Sequence, residues 1–193
     1  WVLETLPLLA FWGVAASLPP ERASRLGRWL LERLGPRLHK QRHVLRNLRV
    51  AFPGHSPQEL TRIAREVWGN LGAVMGEYPH LGTISQVEGA RRLEIVVEEG
   101  ASTPTATRPV VMVTAHLANW EMPALPGPAH NLPSAVVYRA PNIGKVADMV
   151  MATRGVNMGR LIKTGMDGAI KAAEALQEGR HVGMLVDQYY VRG

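Results

Sequence analysis

The chain has 193 residues, 46% of them hydrophobic, with 22 Lys/Arg against 16 Asp/Glu, a net charge of +6 and no cysteine. Such a length and apolar content belong to one globular domain with a proper core and exclude a disordered polypeptide, while the missing thiols exclude disulfides, thiolate catalysis and thiolate zinc sites. The positive excess points to an anionic partner, and it is unevenly placed: nine Lys/Arg and two Glu lie between Glu21 and Arg49, which leaves the remainder of the chain near −1.

Trp1–Leu18 is mostly apolar, with Trp1, Phe11 and Trp12 and the single charge of Glu4. It is slightly shorter than the ~20 residues that cross a bilayer. Because the chain opens on Trp rather than Met, the segment reads as what is left of an N-terminal membrane anchor; an ordinary buried helix is the other reading. No basic leader precedes it and Pro19-Pro20 follows it, which argues against a cleaved signal peptide.

A basic helical region is expected over residues 19–85. Pro20 opens a helix to Leu34 that sets Leu26, Leu30, Leu31 and Leu34 at helical spacing opposite arginines, and Gly35-Pro36 closes it. Arg37–Phe52 reads as a second basic amphipathic helix. A positive block directly after an apolar segment suits an anionic membrane surface. No nucleic acid is expected, since the block holds one aromatic residue, Trp29, and no recognised binding motif. Ser56-Pro57-Gln58-Glu59 supplies an N-cap, a first-turn proline and a capping-box carboxylate. The helix they open runs through Ile63, Val67, Leu71 and Val74 toward Glu77. Gly69, Gly72 and Gly76 either admit the close approach of another helix or a lipid chain, or mark a locally weak helix; the second reading is preferred. Gly82–Ser85 reads as a loop, Ala90–Glu99 as a helix, and Ala101–Arg108 as a polar surface segment.

Residues 86–193 read as an α/β core. Val110–Ala115 is a continuous apolar run of the kind buried on both faces of a sheet. His116 then stands at the strand's C-terminal end, where open α/β sheets place their chemistry. Glu121 is expected in a helix over Ala118–Leu125, leaning back to hydrogen-bond the imidazole, fix its tautomer and raise its basicity. The plain alternative is a strand-end histidine and a solvated glutamate. After a proline-rich connection, Ser134–Tyr138 forms a strand ending at Arg139. A helix over Ile143–Arg154, a short strand at Arg160–Lys163, a helix over Met166–Glu178 and a strand at His181–Val186 ending in Asp187-Gln188 follow. Alternating strands and helices give a mostly parallel sheet covered by helices, and His116, Arg139 and Asp187-Gln188 would gather at one edge of it.

The sequence His116-Leu-Ala-Asn119-Trp120-Glu121 resembles the His-x4-Glu motif of the lauroyl/myristoyl acyltransferases of bacterial lipid A biosynthesis, within the wider His-x4-Asp/Glu acyltransferase superfamily. Tyr138-Arg139-Ala140-Pro141-Asn142, Arg154-Gly155 and Gly183-Met-Leu-Val-Asp187-Gln188 follow in the family's order, with Ala140 a departure before the proline. Arg42…Asn47-Leu48…Phe52-Pro53 resembles a stretch near its front, where Asn47 reads as a helix-end residue. The family continues for a further third of its length beyond the position of Gly193 and begins before Trp1, so the chain is expected to be a fragment.

The resemblance implies acyl transfer from an acyl carrier protein thioester to a hydroxyl of a lipid A precursor or other glycolipid. It places the enzyme at the bacterial inner membrane, with the site on the cytoplasmic side. His116 is the implied general base and Glu121 its orienting partner; Asn119, Arg139, Arg154, Asp187 and Gln188 are implied to bind substrate. Arg154 would hold a phosphate of donor or acceptor and be held by Asp187, or else form a surface ion pair. With no cysteine and no Gly-x-Ser-x-Gly elbow, direct attack by the acceptor hydroxyl is expected, its oxyanion met by amides at the start of the Ala118–Leu125 helix. No metal and no cofactor are expected, since His and Glu at this spacing do not make a His-Glu-x-x-His zinc site. Two other readings compete. One is an acyltransferase for lysophospholipids or for glycolipids such as phosphatidylinositol mannosides. The other is a non-catalytic basic protein that binds membranes or nucleic acid.

Overall fold

The computed structural model describes residues 2–84, 96, 98–100, 104, 105, 107–139 and 144–188. The helix expected over Ala90–Glu99 therefore lies mostly outside the described residues, as do Ala140, Pro141 and Asn142 of the second motif. The structure divides into two compact units: Leu9–Pro79, and His80–Gly193 together with Trp1–Leu8.

The helices come first: α1 (Val2–Ser17), α2 (Pro20–Leu34), α3 (Gln41–Ala51) and α4 (Pro57–Glu77). Among the described residues no helix is long and apolar enough to cross a membrane. α2 begins at the Pro19-Pro20 break, where a proline in the first turn costs no hydrogen bond. α3 begins at Gln41 rather than Arg37, because Gly35–Arg37 forms a tight turn around Pro36 and Leu38 is extended. α4 opens as the sequence predicts: the Ser56 hydroxyl accepts from the Glu59 N–H, and the Glu59 carboxylate accepts from the Ser56 N–H at 2.7 Å. Leu48, Leu60 and Ala64 close a small core between α3 and α4, flanked by Val44, Leu45 and Ile63. The Trp68 indole N–H, buried between them, donates to Gln41 Oε1 at 2.7 Å.

The glycines of α4 are not points of weakness. A methyl group on Gly72 would overlap the Gly27 carbonyl of α2, one on Gly27 would overlap Gly72, and one on Gly76 would overlap the Ala23 carbonyl. Two helices meet backbone to backbone there, which only hydrogen in place of a side chain permits. The structure thus reverses the preferred sequence reading.

In the second unit a short helix, α5 (Leu81–Ile84), replaces the expected loop. The α/β part runs β1 (Val111–Thr114), α6 (Pro126–Ala129), β2 (Ser134–Tyr138), α7 (Gly144–Asn157), β3 (Arg160–Lys163), α8 (Gly168–Gln177) and β4 (His181–Leu185). The four strands are all parallel, in the order β1-β4-β2-β3. α8 covers one face: Ala175 packs with Ala135, Ile162 and Val182, supported by Val137, Ala172, Leu176 and Met184. α7 runs on through Gly155, and the chain leaves it at Gly159 (φ +77°), where a side chain would strike the Ser134 carbonyl.

β1 departs from expectation. Its apolar run suggested burial on both faces, but among the described residues β1 lies at the edge of the sheet. Val111 and Val113 are 49% and 63% exposed, while Met112 and Thr114 turn inward. The composition of a strand records its apolar character and not which strand lies beside it.

Candidate active site

The register of β1 and β4 builds the centre of the site. Thr114 pairs with Leu185, and the ladder extends one bond further as the Val186 N–H donates to the Thr114 carbonyl at 3.0 Å. Two residues beyond each strand, the His116 N–H donates to Asp187 Oδ2 at 3.0 Å and His116 Nδ1 lies 2.9 Å from Asp187 Oδ1. The hydrogen bonds from the His116 side chain and backbone hold the Asp187 carboxyl below the usual aspartate range. An ionised carboxylate accepts only, so Nδ1 carries a hydrogen, and in the neutral ring Nε2 presents the lone pair. Gln188 Nε2 stands 3.5 Å from that atom. The Trp120 ring lies against the imidazole with centroids 5.5 Å apart.

The carboxylate of the motif is engaged elsewhere. Glu121 is 3% exposed and accepts from Arg154 Nε at 3.0 Å and from the second guanidinium nitrogen at 2.5 Å, a bidentate pair. The sequence expectation joined Glu121 to His116 and Asp187 to Arg154; the structure exchanges the partners. The physical reason is the backbone between His116 and Glu121. Ala118 adopts a left-handed conformation (φ +45°), and Asn119 Oδ1 accepts from the Glu121 N–H at 3.1 Å. The segment is a turn followed by a single tight helical turn at Met122–Ala124, so the helix expected over Ala118–Leu125 is absent. Its row of free N-terminal amides, expected to meet an oxyanion, is absent with it.

Of the expected site residues, His116, Asp187 and Gln188 come together, and Glu121 and Arg154 form a second pair nearby. Arg139 is exposed at the end of β2 and lines the same cavity. Asn119 shapes the turn instead of lining that cavity.

The cavity measures about 1050 Å³. Met112, Thr114, Val136, Gly183 and Leu185 form its floor on the sheet, with His116, Trp120, Glu121 and Arg154 on its wall. Gly183 leaves the middle of that floor open: apart from the Ala135 carbonyl 3.9 Å away, a methyl group there would meet nothing. A cavity of this size, lined by both apolar and polar side chains, has room for a hydrocarbon chain beside a reactive head. Trp120 and Gly183 stand in the motifs read from the sequence and Lys163 ends a predicted strand, but the sequence reading gave none of them a role in the site. For Lys163 that strand end was the signal. Among the described residues no group of three or more His, Asp or Glu side chains is placed to hold a metal.

A family model described as bacterial lipid A biosynthesis acyltransferase matches residues 5–193. No match was found among curated proteins or among solved structures.

Proposed function

The chain belongs to the bacterial lipid A biosynthesis acyltransferase family, and on that footing we propose that it moves a fatty acyl group from an acyl carrier protein thioester to a hydroxyl of a lipid A precursor, with His116 as general base. The observation that carries this reading is the His116–Asp187 pair at the head of an apolar cavity. Nε2 takes the proton of the acceptor hydroxyl as its oxygen attacks the thioester carbonyl. The tetrahedral intermediate collapses with cleavage of the C–S bond, and the departing thiolate recovers the proton from Nε2. The Gln188 side-chain amide supports the oxyanion from beside the imidazole. No enzyme-bound acyl group is needed, which agrees with a chain that has no cysteine.

Asp187 orients the imidazole in this scheme, while Glu121 acts through Arg154 to fix the wall of the cavity. The Glu21–Arg49 block directs the enzyme to the anionic, cytoplasmic face of the inner membrane, where donor and acceptor are both found.

The deciding assay uses membranes with labelled lauroyl carrier protein and a tetra-acylated lipid A precursor, comparing wild type with His116→Ala and Asp187→Asn. Transfer by the wild type that Asp187→Asn strongly reduces and His116→Ala reduces further is the expected result. Transfer to a lysophospholipid or another glycolipid instead keeps the chemistry and discards the acceptor. Undiminished transfer by His116→Ala would sink the assignment of the base.

A further inference from the structure

We propose that Arg139 and Lys163 form a phosphate-binding subsite on the rim of the cavity; the identity of the phosphate rests on the acyl-transfer reading above. β2 and β3 pair Tyr138 with Lys163, so Lys163 closes β3 and Arg139 follows β2 by one residue at the C-terminal ends of adjacent strands. The Thr164 N–H donates to the Tyr138 carbonyl at 2.8 Å, which fixes the two strand ends against each other. Both cations line the same cavity as His116, together with Thr164.

The charges around them decide what they can do. Glu121 is the acid lining the cavity, and Arg154 neutralises it. Asp167, the acid of the loop after β3, is held by Lys171. Neither Arg139 nor Lys163 has an ion-pair partner among the described residues. Two cations without ion-pair partners on the lining of one cavity repel one another and bring nothing to a hydrocarbon chain. An anion with several oxygens satisfies both, since the guanidinium takes two oxygens in a fork and the ammonium acts as a point charge on a third. Phosphate is that anion, and the reaction offers two: the phosphodiester arm that carries the donor's thioester, and the phosphate groups of the acceptor lipid.

The test uses the full chain as wild type, Arg139→Gln, Lys163→Gln, the double variant and Lys163→Arg. Inorganic pyrophosphate serves as the binding probe, read by calorimetry, and circular dichroism checks each fold. Saturable binding by the wild type is expected, weakened on the order of tenfold by each Gln substitution, lost in the double variant and kept by Lys163→Arg. Equal binding by wild type and double variant, or no binding by the wild type, would overturn the subsite.

Steady-state transfer then identifies the source. A rise in KM for the phosphorylated acceptor, absent with a dephosphorylated one, assigns the acceptor's phosphate, and a rise in KM for the donor assigns the donor's arm. If neither KM moves, the subsite is wrong. A wild type that binds pyrophosphate in this pattern yet transfers no acyl group keeps the subsite and defeats the acyl-transfer reading.

Discussion

His116 and Asp187 face each other because β1 and β4 lie in parallel register, and the aspartate grips both the backbone amide and the ring of the histidine. One carboxylate thus sets the position and the tautomer of the imidazole together.

Asp187→Asn is the sharpest probe of that arrangement. An asparagine has one acceptor oxygen for two donors. With that oxygen on the His116 N–H, its amide NH2 faces Nδ1 and favours the tautomer with the hydrogen on Nε2, which cannot act as base. Turned round, it meets the backbone N–H donor against donor. Turnover should fall on the order of 10²-fold or more, with His116→Ala lower still. Turnover of Asp187→Asn equal to wild type in the transfer assay would remove the tautomer argument.

The same pair predicts a pH signature. The folded-state pKa of Asp187 is lowered, first by the His116 side-chain hydrogen bond and then by the His116 amide. The contribution of this contact to stability is therefore fully present above the unfolded aspartate value and is lost as pH falls through the lowered one. The Asp187 carboxyl carbon followed by NMR should titrate below the usual aspartate range. In His116→Ala it should move part of the way back, because the backbone hydrogen bond survives.

Glu121 and Arg154 should behave as a structural unit. Glu121→Gln leaves a partly buried guanidinium short of its counter-charge and should cost about 3 kcal/mol of stability. Adding Arg154→Met to that background should recover most of the loss, as read by thermal melts. If the double variant instead melts lower than either single one, the two residues do not act mainly on each other.

The α2–α4 contact makes a paired prediction. Gly72→Ala drives a methyl group into the Gly27 carbonyl and should destabilise by about 1–3 kcal/mol or more. Gly13→Ala, in α1 with open space around it, should stabilise by about 0.5–1 kcal/mol through helix propensity alone. Chemical denaturation separates the two signs.

Gly183→Val fills the open middle of the cavity floor. The strand should accept it, since valine favours extended backbone, but long acyl donors should lose rate relative to short ones in a competition assay. An unchanged chain-length profile would mean that the acyl chain does not lie across β4.

Much of this was legible in the sequence, and the misses share a cause. The alternation after residue 109, the capping box at Ser56 and the gathering of strand ends all follow from periodicity and turn chemistry, which are local. The partner of His116 was not local. Glu121 lies five positions away and Asp187 lies 71 away, and nearness in sequence pointed to Glu121, whereas the register of β1 and β4 brings Asp187 to the histidine. The exposure of β1 and the meeting of Gly72 with Gly27 are likewise facts about neighbours, which no single segment carries.

The order of the strands has a consequence in time. β4 follows β1, β2 and β3 along the chain, yet it lies between β1 and β2. Among the described residues β1 pairs with β4 alone, so a growing chain that has completed only β1 and β2 has no strand to place beside the one that carries the histidine. Until β4 forms, the histidine lacks its carboxylate and the cavity lacks the centre of its floor. The site therefore forms only once β4 is in place, and a chain stopped short of Asp187 retains the His-x4-Glu motif without the carboxylate that holds its histidine.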